Sequence, residues 1–415
     1  MAYTTVDAPQ AHFKVKKYSG TSATDNAITF DETAVTMQPE VILVKNRDKS
    51  VAAGGNWGMY SIFINNQTGA TKIPSEVYPN LTNAITNWAT DASDGPIKSM
   101  DSNGFTLGVK PSNNHSMHNF NGNTHMAWCW KFGGNPTADN TATSGAMTAN
   151  SISIDGTLQS SHTPSASFTG GLEHIKRVSV NTVAGCCYMR ISGATNGDTF
   201  PHFLNTTPTM IWKKPYSDTG AMEVSLVEAN EDSFFHDSGT DNRGKKDDFV
   251  NNGSFADDAR SYDNTSSVIA AEDDWTVNGT EDNHLWIWTE TPGFSRFNRY
   301  EGNGNADGPK VMLGFKPALV IIKRVGASTP FLFFDNKNRT TKTSSFHNPL
   351  DDIIGFGQDQ ASDRSSTQER IEFYSNGFKI ASSGTNINND GTKYIFMAWA
   401  HTTIGGPAGT PPTAV

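Results

Sequence analysis

Three histidines, His115, His118 and His125, lie close together in the stretch NNHSMHNFNGNTH. Imidazoles at that spacing could approach a divalent cation. Zinc sites draw on a second, distant ligand pair, however, and no cysteine or carboxylate spacing supplies one here. They read as polar loop residues, with no metal and no cofactor expected. GTDNRGKK at 239–246 spells the first seven positions of a phosphate-binding loop, but Lys246 stands where Ser or Thr would hold magnesium. GNGNADG at 302–308 resembles a dinucleotide fingerprint one residue out of register, and lies between two strands rather than before a helix. A turn is the reading that fits.

Acid–base chemistry is no better served. A glycan-cleaving sandwich needs two carboxylates facing across a cleft. Glu369 and Glu372 are three residues apart, which puts them on opposite strand faces, and the adjacent pairs Asp273-Asp274 and Asp351-Asp352 read as turns. No Ser or Cys sits in a recognisable nucleophile elbow. No catalytic residue is assigned, and the chain is expected not to be an enzyme. Trp57, Tyr60, Tyr78 and Trp88 are the residues whose rings could contact a ligand by stacking on sugars; the competing role is to cover a loop. Cys129, Cys186 and Cys187 are odd in number, and the vicinal pair cannot form an ordinary bridge, so all three are expected reduced in a core.

What would position such residues is a β framework. Of 415 residues only 36% are hydrophobic and 18% charged, with Gly, Ser, Thr and Asn filling the difference, as in short strands joined by polar turns. The net charge of -10 is spread along the chain, without the basic footprint that nucleic acid requires. The N-terminus has no signal pattern and no run of eighteen apolar residues occurs, so synthesis in a cytoplasm and no membrane span are expected. Asn-x-Ser/Thr triplets at Asn66 and Asn278 then report only Asn-rich turns.

The strongest pattern is internal repetition. QPEVILVK at 38–45, TPTMIWKKP at 207–215 and KPALVIIK at 316–323 each place a lysine six residues after a proline. Upstream stand YSG, ISG and YEG, ending at Gly20, Gly193 and Gly302. Downstream, SNGFTL at 102–107 matches SNGFKI at 375–380, with DWTV at 274–277 as the middle copy. Each copy closes on an aromatic strand, ending at Trp130, Trp288 and His401. Trp128, Trp130, Trp286, Trp288 and Trp399 recur at one position per copy, which points to core packing. Apolar runs such as VILV and LVII suit strands buried on both faces, and SNG before phenylalanine is turn chemistry.

The expected organisation is an all-β chain of three tandem β-sandwich repeats with jelly-roll or lectin-like connections. An N-terminal arm spans 1–11, the repeats 12–133, 176–291 and 292–403, and a C-terminal tail 404–415. Residues 134–175 have linker composition. Repeats 2 and 3, joined with almost no slack, are expected to form a rigid pair.

On these residues the chain resembles a repeated domain of unknown function found in tail-fibre and other virion structural proteins of marine bacteriophages. The resemblance is carried by Tyr18 to Gly20 with Gln38 to Lys45, by Val178 to Gly185 followed by Pro208 to Lys214, by Gly293 to Gly308 with Phe315 to Arg324, and by Ser375 to Ile380 and Thr392 to Trp399. It implies a non-enzymatic structural protein on the exterior of a phage virion, a capsid decoration or short tail or fibre appendage, acting in assembly and in surface or host contact. Implied partners are other virion proteins, further copies of the chain and a host surface glycan. A glycan-recognising tail-fibre adhesin and a polysaccharide depolymerase are the alternatives. Repeat 2 departs from the pattern: the loop that reads NNHSMHNFNG in repeat 1 and SSGTNINN in repeat 3 is shortened there, so any binding by that loop is expected to be lost. With only 1–11 and 404–415 as attachment arms, a decoration packed against neighbouring subunits is favoured over a distal fibre, with those neighbours ordering the linker.

Overall fold

The computed structural model describes residues 6–49, 55, 57–64, 74–79, 83–86, 96–108, 118–195, 197–216, 222–226, 245–248, 265–271, 282–327, 329–338, 350, 352–355, 364–365 and 370–403. Strands dominate it. Among the described residues the helical content is one four-residue helix, Thr385–Asn388, and the short turns Pro9–Ala11 and Leu172–His174.

Each repeat builds a large antiparallel sheet in the same order, with its last strand inserted between its first and second. In unit 1 the order is Phe13–Ser19, Thr124–Trp130, Val41–Asn46, Trp57–Ser61, Ser75–Val77. Unit 2 repeats it with Cys186–Ser192, Asp282–Trp288, Met210–Pro215, Glu223–Leu226 and Lys245–Asp248. Unit 3 uses Ser295–Glu301, Lys393–Thr403, Phe315–Arg324, Leu332–Asp335, Asp352–Gly355 and Arg364–Ser365. The register is shared as well: Val41 pairs with Trp130, Met210 with Trp288 and Leu319 with Trp399. Pro39, Pro208 and Pro317 each stand two residues before the first of these partners, so the three prolines enter equivalent strands.

A small sheet covers one face of each large sheet. In unit 1 it pairs Asn26–Thr29 with Gly104–Leu107 and Ile97–Asp101, and in unit 3 Lys310–Met312 with Gly377–Ile380 and Ile371–Tyr374. Both hairpins turn at the repeated Ser-Asn-Gly. Unit 2 pairs Thr199–Pro201 with Val268–Ala270; the proposed middle copy at 274–277 lies outside the described residues. Strand alternation explains the unbroken apolar runs. Val41 and Leu43 point to the centre of the molecule, while Ile42 and Val44 point to the small sheet.

Residues 134–175, expected as a linker, are built into unit 2. Ile152–Ile154 and Thr157–Leu158 form a hairpin that extends its large sheet beyond Ile175–Asn181. The turn is Asp155-Gly156, with φ of 50° and 84°, the left-handed pair that a two-residue hairpin favours. Met147 and Ile152 enter the unit 2 core. Asn140, fully buried, donates to the carbonyls of Leu172 and Ile175 and accepts the N–H groups of Ala142 and Thr148. The contacts described for this segment come from its own chain. Linker composition misleads because the segment is fastened by few apolar groups and many short hydrogen bonds.

Candidate functional site

Unit 1 is not merely tethered to a rigid pair, because all three large sheets turn one face toward a common centre. Trp130, Trp288 and Trp399 hold equivalent register positions, and their rings meet pairwise: 130 to 399 at 5.4 Å, 288 to 399 at 6.2 Å and 130 to 288 at 6.5 Å between centroids. Three equivalent residues in mutual contact define a pseudo-threefold axis. Their interplanar angles of 71°, 74° and 63° are edge-to-face, the arrangement in which an indole edge meets a π face. The indole N–H of each is buried without a hydrogen-bond acceptor, which an edge-to-face cluster tolerates better than an aliphatic core would.

Further contacts join the units in pairs. Phe333 of unit 3 packs at 5.0 Å against both Trp57 and Trp128 of unit 1. Phe13 stacks on Trp399 at 5.7 Å, and Phe63 stacks on Tyr188 of unit 2 at 4.5 Å. The repeated tryptophans are core, as the sequence implied, but the core they build lies between the units.

Sequence reasoning did not foresee that the motif lysines are buried. Lys45 and Lys214 are fully buried and Lys323 is 1% exposed. The Lys45 ammonium donates to the carbonyls of Asn46, Lys49 and Gly55, and Lys323 donates to Thr329 and lies 5.2 Å from the Phe331 ring centre. The repeated proline-to-lysine spacing was the available signal. A lysine that recurs at the end of an apolar strand is held where its head can tie the following loop.

Of the residues considered for ligand stacking, Trp57 and Tyr60 are fully buried, Tyr78 is 8% exposed, and Trp88 lies outside the described residues. Trp57 belongs to the central core. Tyr60 and Tyr78 instead surround a carboxylate that sequence reasoning did not single out. Glu76, fully buried, accepts the Tyr60 hydroxyl at 2.6 Å and the Tyr78 hydroxyl at 3.0 Å. Burial and the Glu76 charge hold both phenols well above their ordinary pKa, so they stay protonated donors. His118 Nε2 stands 3.5 Å from Glu76 Oε1, too far for a good hydrogen bond. A Cβ on Gly58 would fall 2.4 Å from that nitrogen, so glycine is required where the strand passes the ring.

His125 stacks on Tyr18 at 5.0 Å between ring centroids. His115 lies outside the described residues. No group of three metal-ligating His, Cys, Asp or Glu residues occurs among the described residues. Most of 239–246, and Asp273, Asp274, Asp351 and Glu369, also lie outside them; Glu372 accepts the Tyr374 hydroxyl. The three cysteines are free and buried, and burial pushes each thiol well above its usual pKa.

The loop singled out as a binding loop, described in unit 1 only from His118 onward, forms a clasp. In unit 1 the Asn119 amide donates to Ala23 O, and its Oδ1 accepts Thr21 N–H and Asn26 Nδ2. In unit 3 the Asn388 amide donates to Asn305 O and Ser382 O, and its Oδ1 accepts Asn303 N–H. Tyr18 donates to His118 O at 2.7 Å, as Tyr300 donates to Ile387 O at 2.6 Å. Gly20 and Gly302 complete the match: a Cβ at either would sit 2.3 Å from a carbonyl oxygen of the loop.

A family described as Domain of unknown function (DUF7483) matches the chain over residues 8–158 and 157–403. The chain belongs to that family. No curated protein and no solved structure matches it. The two matched segments meet within the Asp155-Gly156 hairpin region, so the first carries unit 1 into the strands that unit 2 borrows. Among the described residues of this family member, no helix is long and apolar enough to cross a membrane.

Proposed function

We propose that this member of the family is a structural protein of a bacteriophage particle, exposed on the virion exterior as a decoration or short appendage. Its activity is assembly and surface contact, without catalysis. One observation carries the reading: the repeated residues converge on a core that fuses three sandwiches into one body, with Trp130, Trp288 and Trp399 at its axis. A chain whose recurring chemistry is invested in cohesion suits a load-bearing role. The clasps at Asn119 and Asn388 support it in the same way, because their buried amides are spent on fastening the chain to itself.

On this reading the partners are other virion proteins and further copies of the chain, and the host surface is met through the outer face of the assembled particle. Antibody labelling of purified virions, viewed by electron microscopy, tests it. Labelling at regular positions on the outside of intact particles is expected. Absence of the chain from particles would overturn the reading, and release of reducing ends from host polysaccharide, abolished by a single Asp or Glu substitution, would replace it with a depolymerase.

A further inference from the structure

Lys14 is a strand lysine of unit 1 whose side chain crosses the sandwich. It stands on the first strand, 2% exposed, and its ammonium reaches the Ser-Asn-Gly turn of the small sheet. Nζ lies 3.1 Å from Asn103 Oδ1 and also donates to the carbonyls of Glu32 and Val35. The Phe30 ring lies 5.1 Å away. Asn103 is fixed from the other side, its Oδ1 accepting Met37 N–H at 3.2 Å and its backbone carbonyl accepting Phe30 N–H at 3.1 Å. Beside them is Glu32. Its Oε1 pairs with Lys337 at 2.9 Å, while its Oε2 is buried with no hydrogen-bond partner.

We propose that Lys14 and Asn103 become joined by an intramolecular isopeptide bond, with Glu32 as the proton acceptor. An amine and a side-chain amide are held in contact, a backbone N–H already polarises the amide oxygen, and Glu32, with one carboxylate oxygen unpartnered, lines the same small cavity as Lys14. Glu32 takes a proton from the Lys14 ammonium, and the free amine adds to Asn103 Cγ. Negative charge develops on Oδ1, where Met37 N–H receives it. The tetrahedral centre collapses with cleavage of the Cγ–Nδ2 bond, the nitrogen leaves as ammonia with the proton that Glu32 held, and Glu32 then takes the remaining extra proton from the attacking nitrogen to leave a neutral amide. No oxidant or cofactor enters the balance. Burial favours the first step, since it lowers the Lys14 pKa against the opposing charge of Glu32.

Unit 3 supplies the control. At the register of Lys14, which pairs with Cys129, it has Arg296, which pairs with Ala398 and donates to Met312 O at 2.8 Å. A guanidinium bridges the two sheets as well as an ammonium does, but it is not a usable amine nucleophile. Lys14→Arg therefore keeps the bridge and removes the reaction.

The test is the intact mass of the purified, denatured full chain, followed by peptide mapping. Loss of ammonia leaves the wild type about 17 Da below its sequence mass, allowing for the initiator methionine, with a branched peptide joining the two residues. Lys14→Arg and Asn103→Ala should both return the full mass. Glu32→Gln should slow bond formation about 100-fold or more, as loss of a general base does. Asn103 precedes Gly104, and a succinimide there would give the same mass loss, but it would survive in Lys14→Arg. A deficit that persists in that variant, or a folded wild type at full sequence mass, would overturn the proposal.

Discussion

Units 1 and 3 close their outer sheets with the same tyrosine, glycine and asparagine clasp, whereas unit 2, whose sequence shortens that loop, adds residues 134–175 to its large sheet. The centre shows no such divergence. All three units bring the same register position to the same tryptophan contacts. Even the substitute repeats one device: Asn140 is a fully buried asparagine bonded to two carbonyls and two N–H groups, as the clasp asparagines are bonded to theirs. The periphery of a sandwich can thus be pinned in more than one way, provided a buried amide satisfies the loop's backbone. The axis admits one solution, because each indole there packs against rings from both other units.

The largest effect that follows is at the axis. Trp130→Ala removes contacts to units 2 and 3 together and should cost about 3–5 kcal/mol. It should also separate the unfolding of unit 1 from the rest, visible as a second transition in denaturant. Next come the asparagines. Asn119→Ala, Asn388→Ala and Asn140→Ala each remove a buried amide that bonds several backbone groups and should each cost about 1–3 kcal/mol, read as a shift in the denaturant midpoint. If Asn140→Ala proves neutral while the other two do not, the equivalence between clasp and buttress fails. Hydrogen exchange should show loosening confined to the unit that carries each change.

A smaller effect separates unit 1 from its siblings at one register position. Glu40, Thr209 and Ala318 each precede the residue that faces the axial tryptophan, and only Glu40 ionises. Burial raises its pKa from 4.5 to about 7, against the N–H groups of Gly134 and Phe132 and the charge of Lys131. Because the folded pKa is the higher, the folded state binds the extra proton, and stability declines as pH rises from about 4.5 to about 7. Glu40→Gln removes that dependence. Melting temperatures of wild type and variant should converge at or below about pH 4.5 and favour the variant above about pH 7, by roughly the shift expected of one buried carboxylate.

Much of this plan was legible in the sequence. The proline-to-lysine spacing, the closing tryptophans and the SNG turns located equivalent strands, because pairing register and hairpin geometry write themselves into local residue types. What eluded sequence reasoning was the destination of those side chains. An apolar run reports burial on both faces without saying whether the second cover is a sheet of the same unit or a neighbouring unit, and Trp130 reads identically in either case. Residues 134–175 were misread because Asn140, Ser153 and Asp155 look like solvated loop residues until their partners, far along the chain, are in place. Glu76 gave no signal at all, since its meaning depends on Tyr60 and His118 arriving from a neighbouring strand and a loop to join Tyr78.

The central claim is that three sandwiches share one core, and calorimetry of the full chain tests it most directly. If the axis unites them, the chain should melt in a single endotherm whose calorimetric and van't Hoff enthalpies agree. Two or three separable endotherms, unchanged by Trp130→Ala, would mean that the units fold independently and that the axial tryptophans do not bind them together.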